Sequence, residues 1–225
     1  MARVVLNLET VGFTDEQFAH LCQANQDWHL ERTAKGELVI MPPVGGLSGN
    51  READLITDLN LWNRQTGLGK VFSSATIFRL PNGGDRSPDA AWVSLERWEA
   101  LTVSEQEGFP PICPDFVIEL RSRTEPLKPL QEKMQEYLDS GLRLGWLLNP
   151  QEQAVAVYRP NQEVKIARCP ASLSGEEVLP GLILTLPALL RAEILSSQGN
   201  SRTGIDQLPD IFTLRQHFFR SPNGT

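Results

Sequence analysis

Cysteine is scarce: only Cys22, Cys113 and Cys169 occur, far apart and odd in number, with no Cys-x-x-Cys pair. That excludes a zinc knuckle and a disulfide framework, and reads as reduced thiols in a cytoplasmic protein. No apolar run approaches the length needed to cross a bilayer, and the first residues lack the basic, apolar and small-residue blocks of a secretory signal. The expectation is a cytoplasmic protein with no membrane partner. Positive charge is also lacking. Lys and Arg number 21 against 28 Asp and Glu, a net charge of −7. A surface basic overall, the usual footprint of wholesale nucleic-acid binding, is excluded, whereas a local basic groove is not. Aromatics are 7% of the chain, so no base-stacking platform is evident.

The remainder is ordinary for a globular protein, with 40% hydrophobic and 22% charged residues. The length suits one domain, expected over 1–195. A tail over 196–225 is rich in Ser, Gly, Asn and Pro, with an apolar stretch, Ile211 to Phe219, able to dock as a helix. Thr14-Asp15-Glu16-Gln17 marks a helix start, and the helix runs to about Asn25. Trp28 to Arg32 and Glu37 to Met41 form a hairpin around Ala34-Lys35-Gly36. A helix from Leu47 to Thr66 ends at Gly67. Short strands follow at Lys70–Phe72, Thr76–Leu80 and Asp89–Val93, with a turn at Pro81–Asp85 and a helical turn near Leu95–Leu101. Pro114 to Leu148 reads as strand, helix (126–141) and strand. A hairpin of Ala154–Tyr158 and Val164–Ala167, a strand at Leu182–Leu186 and a short helix from Pro187 complete the order. The class is α/β, a mixed sheet with one parallel crossover.

Four charged residues stand out from this pattern. Glu119 interrupts Phe116-Val117-Ile118-Leu120, a run that reads as a strand buried on both faces, where a carboxylate needs a partner. Asp115, on the same strand face, sits at the entry after a proline and reads as structural. Glu52 falls within the helical face defined by Leu55, Ile56, Leu59 and Trp62, away from Arg51, Asp54, Asp58 and Arg64. Asp89 opens a strand after Ser87-Pro88. Lys133 lies at one rim of the stripe Leu127, Leu130, Met134, Tyr137, Leu138. Gln131 lies at the other rim, and Lys128, Glu132, Gln135, Glu136 and Asp139 on the opposite arc. Each has a bland alternative: a first-turn acid favoured by the helix dipole for Glu52, a turn-bonding aspartate for Asp89, a salt bridge to Arg121 or Arg123 for Glu119, and a snorkelling lysine. Together they form a hard-oxygen set suited to Mg²⁺ or Mn²⁺ with a lysine to stabilise charge on a phosphate.

The segments Ser-Pro-Asp-Ala-Ala-Trp-Val (87–93), Pro-Asp-Phe-Val-Ile-Glu-Leu-Arg-Ser (114–122), 127–150, Val-Ala-Val-Tyr-Arg-Pro (155–160) and 173–182 resemble the Uma-two family of bacterial restriction-endonuclease-like proteins, from about Phe13 to Leu190. The resemblance implies a PD-(D/E)XK nuclease: a restriction-endonuclease-like core, a mixed central β-sheet flanked by helices, with added β-hairpins. It implies metal-binding roles for Asp89 and Glu119, with Glu52 as the helical acid and the Leu120 backbone carbonyl as a further ligand. It also implies DNA as substrate and a homodimer, which suits cutting of both strands. One position departs from the pattern. The lysine two residues after the second acid would fall at Arg121, which stays protonated and cannot act as a base. The family resembles members whose lysine has moved to the next helix, which points to Lys133. Ser122-Arg123-Thr124 stands where relatives carry Ser-Pro-Ser. Basic residues available to a DNA groove are Arg51, Arg64, Lys70, Arg79, Arg86 and Arg121. Two other readings stay open: a catalytically silent nuclease-fold module that binds or regulates, and paired acids hydrolysing a glycosidic bond.

Overall fold

The computed structural model describes residues 3–8, 10–186 and 189–190. Its first part runs β1 (Val4–Leu6), α1 (Asp15–Ala24), β2 (His29–Arg32), β3 (Leu38–Met41) and α2 (Gly46–Thr66). Next come β4 (Gly69–Ser73), β5 (Phe78–Arg79), β6 (Asp85–Arg86), β7 (Ala90–Ser94), α3 (Leu95–Glu99) and α4 (Val103–Glu107). The last part is β8 (Phe116–Leu120), α5 (Leu127–Asp139), β9 (Leu144–Asn149), β10 (Ala154–Tyr158), β11 (Lys165–Arg168), β12 (Ser172–Ser174) and β13 (Ile183–Thr185).

Local chemistry explains the boundaries. The Thr14 hydroxyl accepts the Gln17 N–H while the Gln17 side chain accepts the Thr14 N–H, a reciprocal cap that starts α1. Gly67, at φ 67°, ends α2 in the left-handed conformation that glycine adopts without penalty. Pro129 falls in the first turn of α5, where its missing N–H leaves no intrahelical bond unmade.

A six-stranded sheet in the order β11-β10-β9-β8-β7-β4 forms the centre. β8 and β9 pair in parallel and are joined through α5, while the other neighbours are antiparallel. One face carries Trp92, Phe116, Ile118, Trp146 and Leu148 and packs on Leu55, Leu59 and Trp62 of α2. The other carries Ala91, Val117, Leu147 and Ala156 and packs on Leu130, Met134 and Tyr137 of α5. A five-stranded sheet, β1-β3-β2-β6-β5, brings the N-terminal hairpin to α5. β12 and β13 form a separate ribbon.

The expected mixed α/β architecture and the parallel crossover are present. β1, α4 and β12 were not anticipated, being too short for a periodic pattern. Pro81–Asp85 is a turn only in part. Asp85 already belongs to β6, because its buried carboxylate is fixed by Arg32 (2.7 Å) and Arg79 (2.9 Å). The helix expected from Pro187 and the tail over 196–225, with Ile211 to Phe219, lie outside the described residues.

Candidate active site

β8 is buried along its whole length, as its apolar sequence requires. Glu119 shares the face of Val117, beneath α5. β7 runs antiparallel beside it, with Ala91 opposite Val117 and Ala90 opposite Ile118. Carried one residue further, that register sets Asp89 across from Glu119. Like charges opposed on one face of a sheet repel. Asp89 Oδ2 accepts the Leu120 N–H at 2.6 Å, which ties the two strands where the acids meet. Asp89 keeps partial exposure, so the pair can be reached from solvent.

Lys133 reaches the acids from α5. It is only 5% exposed, so it is buried rather than snorkelling from the rim of the stripe. Its Nζ lies 2.8 Å from Glu119 Oε1, 2.7 Å from Glu31 Oε1 and 3.0 Å from the Ser87 carbonyl oxygen. One turn further along α5, the Tyr137 hydroxyl donates to Glu119 Oε1 at 3.2 Å. Glu31, 1% exposed on β2, also accepts the Ser87 N–H at 2.9 Å and pairs with Arg86 Nη1 at 2.9 Å. Arg86 continues to Glu136 through Nε at 2.8 Å.

Burial pushes the Glu119 carboxyl up to about 7, even with Lys133 beside it. Burial and the Glu119 charge raise Asp89 well above the carboxylate range, and Glu52 adds to this. Glu31 goes the other way: burial opposes its charge, but Lys133 and Arg86 prevail and bring it to about 2. Burial likewise disfavours the Lys133 charge, and Glu119 and Glu31 overcome that, so the ammonium stays charged above its ordinary range. For metal-free protein the signs give a two-sided profile. The Glu31 contribution is complete above its unfolded pKa and is lost as pH falls towards 2. The Glu119 penalty is absent below its unfolded pKa and grows as pH rises towards 7. With the Asp89 penalty setting in as well, thermal melts in chelator are expected to peak at about pH 4. A profile flat from acid to alkaline pH would contradict both assignments.

Asp89, Glu119 and Lys133 are thus brought together. Glu52, half-buried on α2, accepts from the Ser74 hydroxyl and acts on Asp89 through space. Among the described residues, no three His, Cys, Asp or Glu side chains are grouped to hold a metal ion. Arg121 does not pair with Glu119. Its Nε donates to the Glu125 carbonyl at 2.9 Å and its Nη1 to Asn149 Oδ1 at 3.2 Å. Gln131 is exposed. Asp115 is structural, its carboxylate accepting the Ser94 N–H at 2.8 Å and pairing with Arg97 at 3.0 Å.

Five placements differ from the sequence pattern. Arg86 and Arg79 are committed to internal ion pairs, the latter with Asp85 and Asp15, so neither is a free basic residue for a DNA groove. Glu136 leaves the exposed arc of α5 because Arg86 draws it in. Arg51 is buried although its helical phase set it off the apolar face. Glu31 carried no signal, since in His29-Leu30-Glu31-Arg32 it alternates with Leu30 as a solvated residue would. It is buried because α5 covers that face.

The family model for Uma2, described as "Putative restriction endonuclease", matches residues 15–187. The chain belongs to this family. A solved structure described as a "putative nuclease" from Anabaena variabilis ATCC 29413 is similar, with a TM-score of 0.62 and 21% sequence identity. The match covers 72% of this chain and 89% of that one, and shows a shared fold. No curated protein matches. Among the described residues, no helix is long and apolar enough to cross a membrane.

The donor set of this Uma2 chain fits a divalent ion. Glu31, Asp89, Glu119 and Glu136 face two cations, Lys133 and Arg86, an excess of two negative charges. Burial raises the Asp89 and Glu119 carboxyls, and the neighbouring acids add to it, so protons absorb part of that excess. A divalent cation is the alternative counter-charge. Mg²⁺ characteristically takes only one or two carboxylates and fills its other positions with water, so a two-acid site suffices.

Proposed function

We propose that the protein is a metal-dependent endonuclease that hydrolyses DNA phosphodiester bonds. The observation that carries this reading is a buried ammonium held against Glu119, across the sheet from Asp89. Asp89 and Glu119 would hold Mg²⁺ or Mn²⁺ with the Leu120 backbone carbonyl, and Glu52 would support the site through Asp89. When bound, such an ion supplies Lewis-acid charge to the scissile phosphate and activates water. Lys133 is kept protonated by its two carboxylates, so it serves as a fixed positive charge for the phosphate or an orienting donor for water, not as the base. Arg121 points elsewhere, so Lys133 takes the place of the lysine otherwise expected on β8. Two copies related by a two-fold axis would address both strands of a duplex.

The test is cleavage of supercoiled plasmid in Mg²⁺, in Mn²⁺ and in chelator. Nicked or linear product is expected with metal and none in chelator. Glu119→Gln is expected to lower the rate by on the order of 1,000-fold. Equal rates for this variant and the wild type would remove the assignment. Tight DNA binding with no cleavage in any divalent metal would favour a catalytically silent module instead.

A further inference from the structure

The Lys133 ammonium has three N–H donors, and in this structure three acceptors surround it: Glu31 at 2.7 Å, Glu119 at 2.8 Å and the Ser87 carbonyl at 3.0 Å. They differ in kind. Glu119 is the acid whose oxygens are wanted for the proposed metal. The Ser87 carbonyl is neutral. Glu31 carries a full negative charge at all working pH values, because Lys133 and Arg86 hold its carboxyl at about 2 against the cost of burial. It is also the best anchored of the three. The Ser87 amide holds one oxygen and Arg86 the other, and Glu136 holds Arg86 from behind. A carboxylate so fixed holds its partner in turn, as second ligands hold the groups of metal sites.

We infer that Glu31 is the positioning residue for Lys133. It retains the ammonium beside the Asp89–Glu119 pair when Glu119 turns to another partner. The small N-terminal sheet is therefore part of the working site, since β2 supplies Glu31 and β6 with the residue after it supplies Arg86 and Ser87. The effect on rate rests on the nuclease reading, whereas the hold on Lys133 does not.

Glu31→Gln keeps the shape and removes the charge. In the full chain it is expected to lower kcat on plasmid about 10- to 100-fold. KM and Mn²⁺ affinity, the latter by calorimetry, should change less than about 3-fold, since Glu31 is buried and its carboxylate is already taken up by Lys133, Arg86 and the Ser87 amide. Glu31→Asp, one methylene shorter but charged, is expected to recover part of the loss, and carries the same measurements if Glu31→Gln does not fold. The independent readout is the side-chain ammonium resonance of ¹⁵N-lysine-labelled, metal-free protein. Wild type should show a slowly exchanging signal that Lys133→Met lacks and that Glu31→Gln broadens or shifts. An unchanged signal in Glu31→Gln would overturn the inference whether or not the protein cuts DNA. An unchanged kcat in an active enzyme would also overturn it, and so would a fall in Mn²⁺ affinity matching the fall in kcat. If no DNA is cut but the signal responds, the nuclease reading fails and the positioning role stands.

Discussion

Asp89→Asn is expected to make the metal-free protein more stable while abolishing cleavage. The wild-type carboxyl sits opposite Glu119 in surroundings that disfavour its charge, so its pKa is raised. A raised acid costs stability once the unfolded chain ionises, and the cost grows with pH until the folded group ionises too. The amide removes that cost and keeps an oxygen for the Leu120 N–H. The melting temperature in chelator should therefore rise by about 4 °C at pH 8, at 2–4 °C per kcal/mol for a chain of this size. The gain should vanish near pH 4. Wild-type protein should be stabilised by Mn²⁺ increasingly as pH rises, because metal competes with the protons on these acids, and the variant should not respond. Differential scanning fluorimetry across pH, with and without Mn²⁺, decides the matter. A variant that melts lower than wild type in chelator at pH 8 would show that Asp89 supports the fold as an anion.

Lys133→Met should have the opposite effect on stability and a similar effect on activity. Methionine fills the volume without the charge, leaving Glu31 and Glu119 facing each other in the interior. Breaking a buried pair from one side costs about 3–5 kcal/mol. The two acids meet this loss differently. Glu31 retains Arg86 and the Ser87 amide, whereas Glu119 retains only the Tyr137 hydroxyl among its described hydrogen bonds and escapes by binding a proton. Loss of stability should thus be near 10 °C at pH 8 and much smaller at pH 5. Cleavage should fall by about 1,000-fold, the scale for losing a preorganised charge at a transition state. A rate within 10-fold of wild type would make the lysine a structural counter-ion only.

Glu119 and Lys133 were legible because each breaks a local pattern, whereas the role of Asp89 came from the family resemblance. Glu119 interrupts an apolar strand, and helical phase separates Lys133 from the exposed charges of α5. The two strands and the helix joining them were legible because strand and helix periods differ over a short span. Glu31 breaks no pattern, and its partners lie on β6 and α5, far along the chain. Arg86 looked like a surface base for the same reason, since two-residue strands carry no alternation. What was missed is therefore mainly the ion-paired layer joining the two sheets, where burial is decided by long-range docking. Arg51 shows the limit of helical phase, which places a side chain around an axis but does not say what packs above it.

The parallel pairing of β8 and β9 also orders events during synthesis. Lys133 lies in the connection between them, and α5 packs on a face that β9 helps to build. A ribosome releases Glu31, Asp89 and Glu119 before the lysine, and the lysine before the strand that completes its platform. Chains generally fold from the N-terminal side as whole units. An unfinished polypeptide thus carries the acids without their cation until Lys133 is made, and on the nuclease reading a chain ending before Lys133 should not cleave DNA.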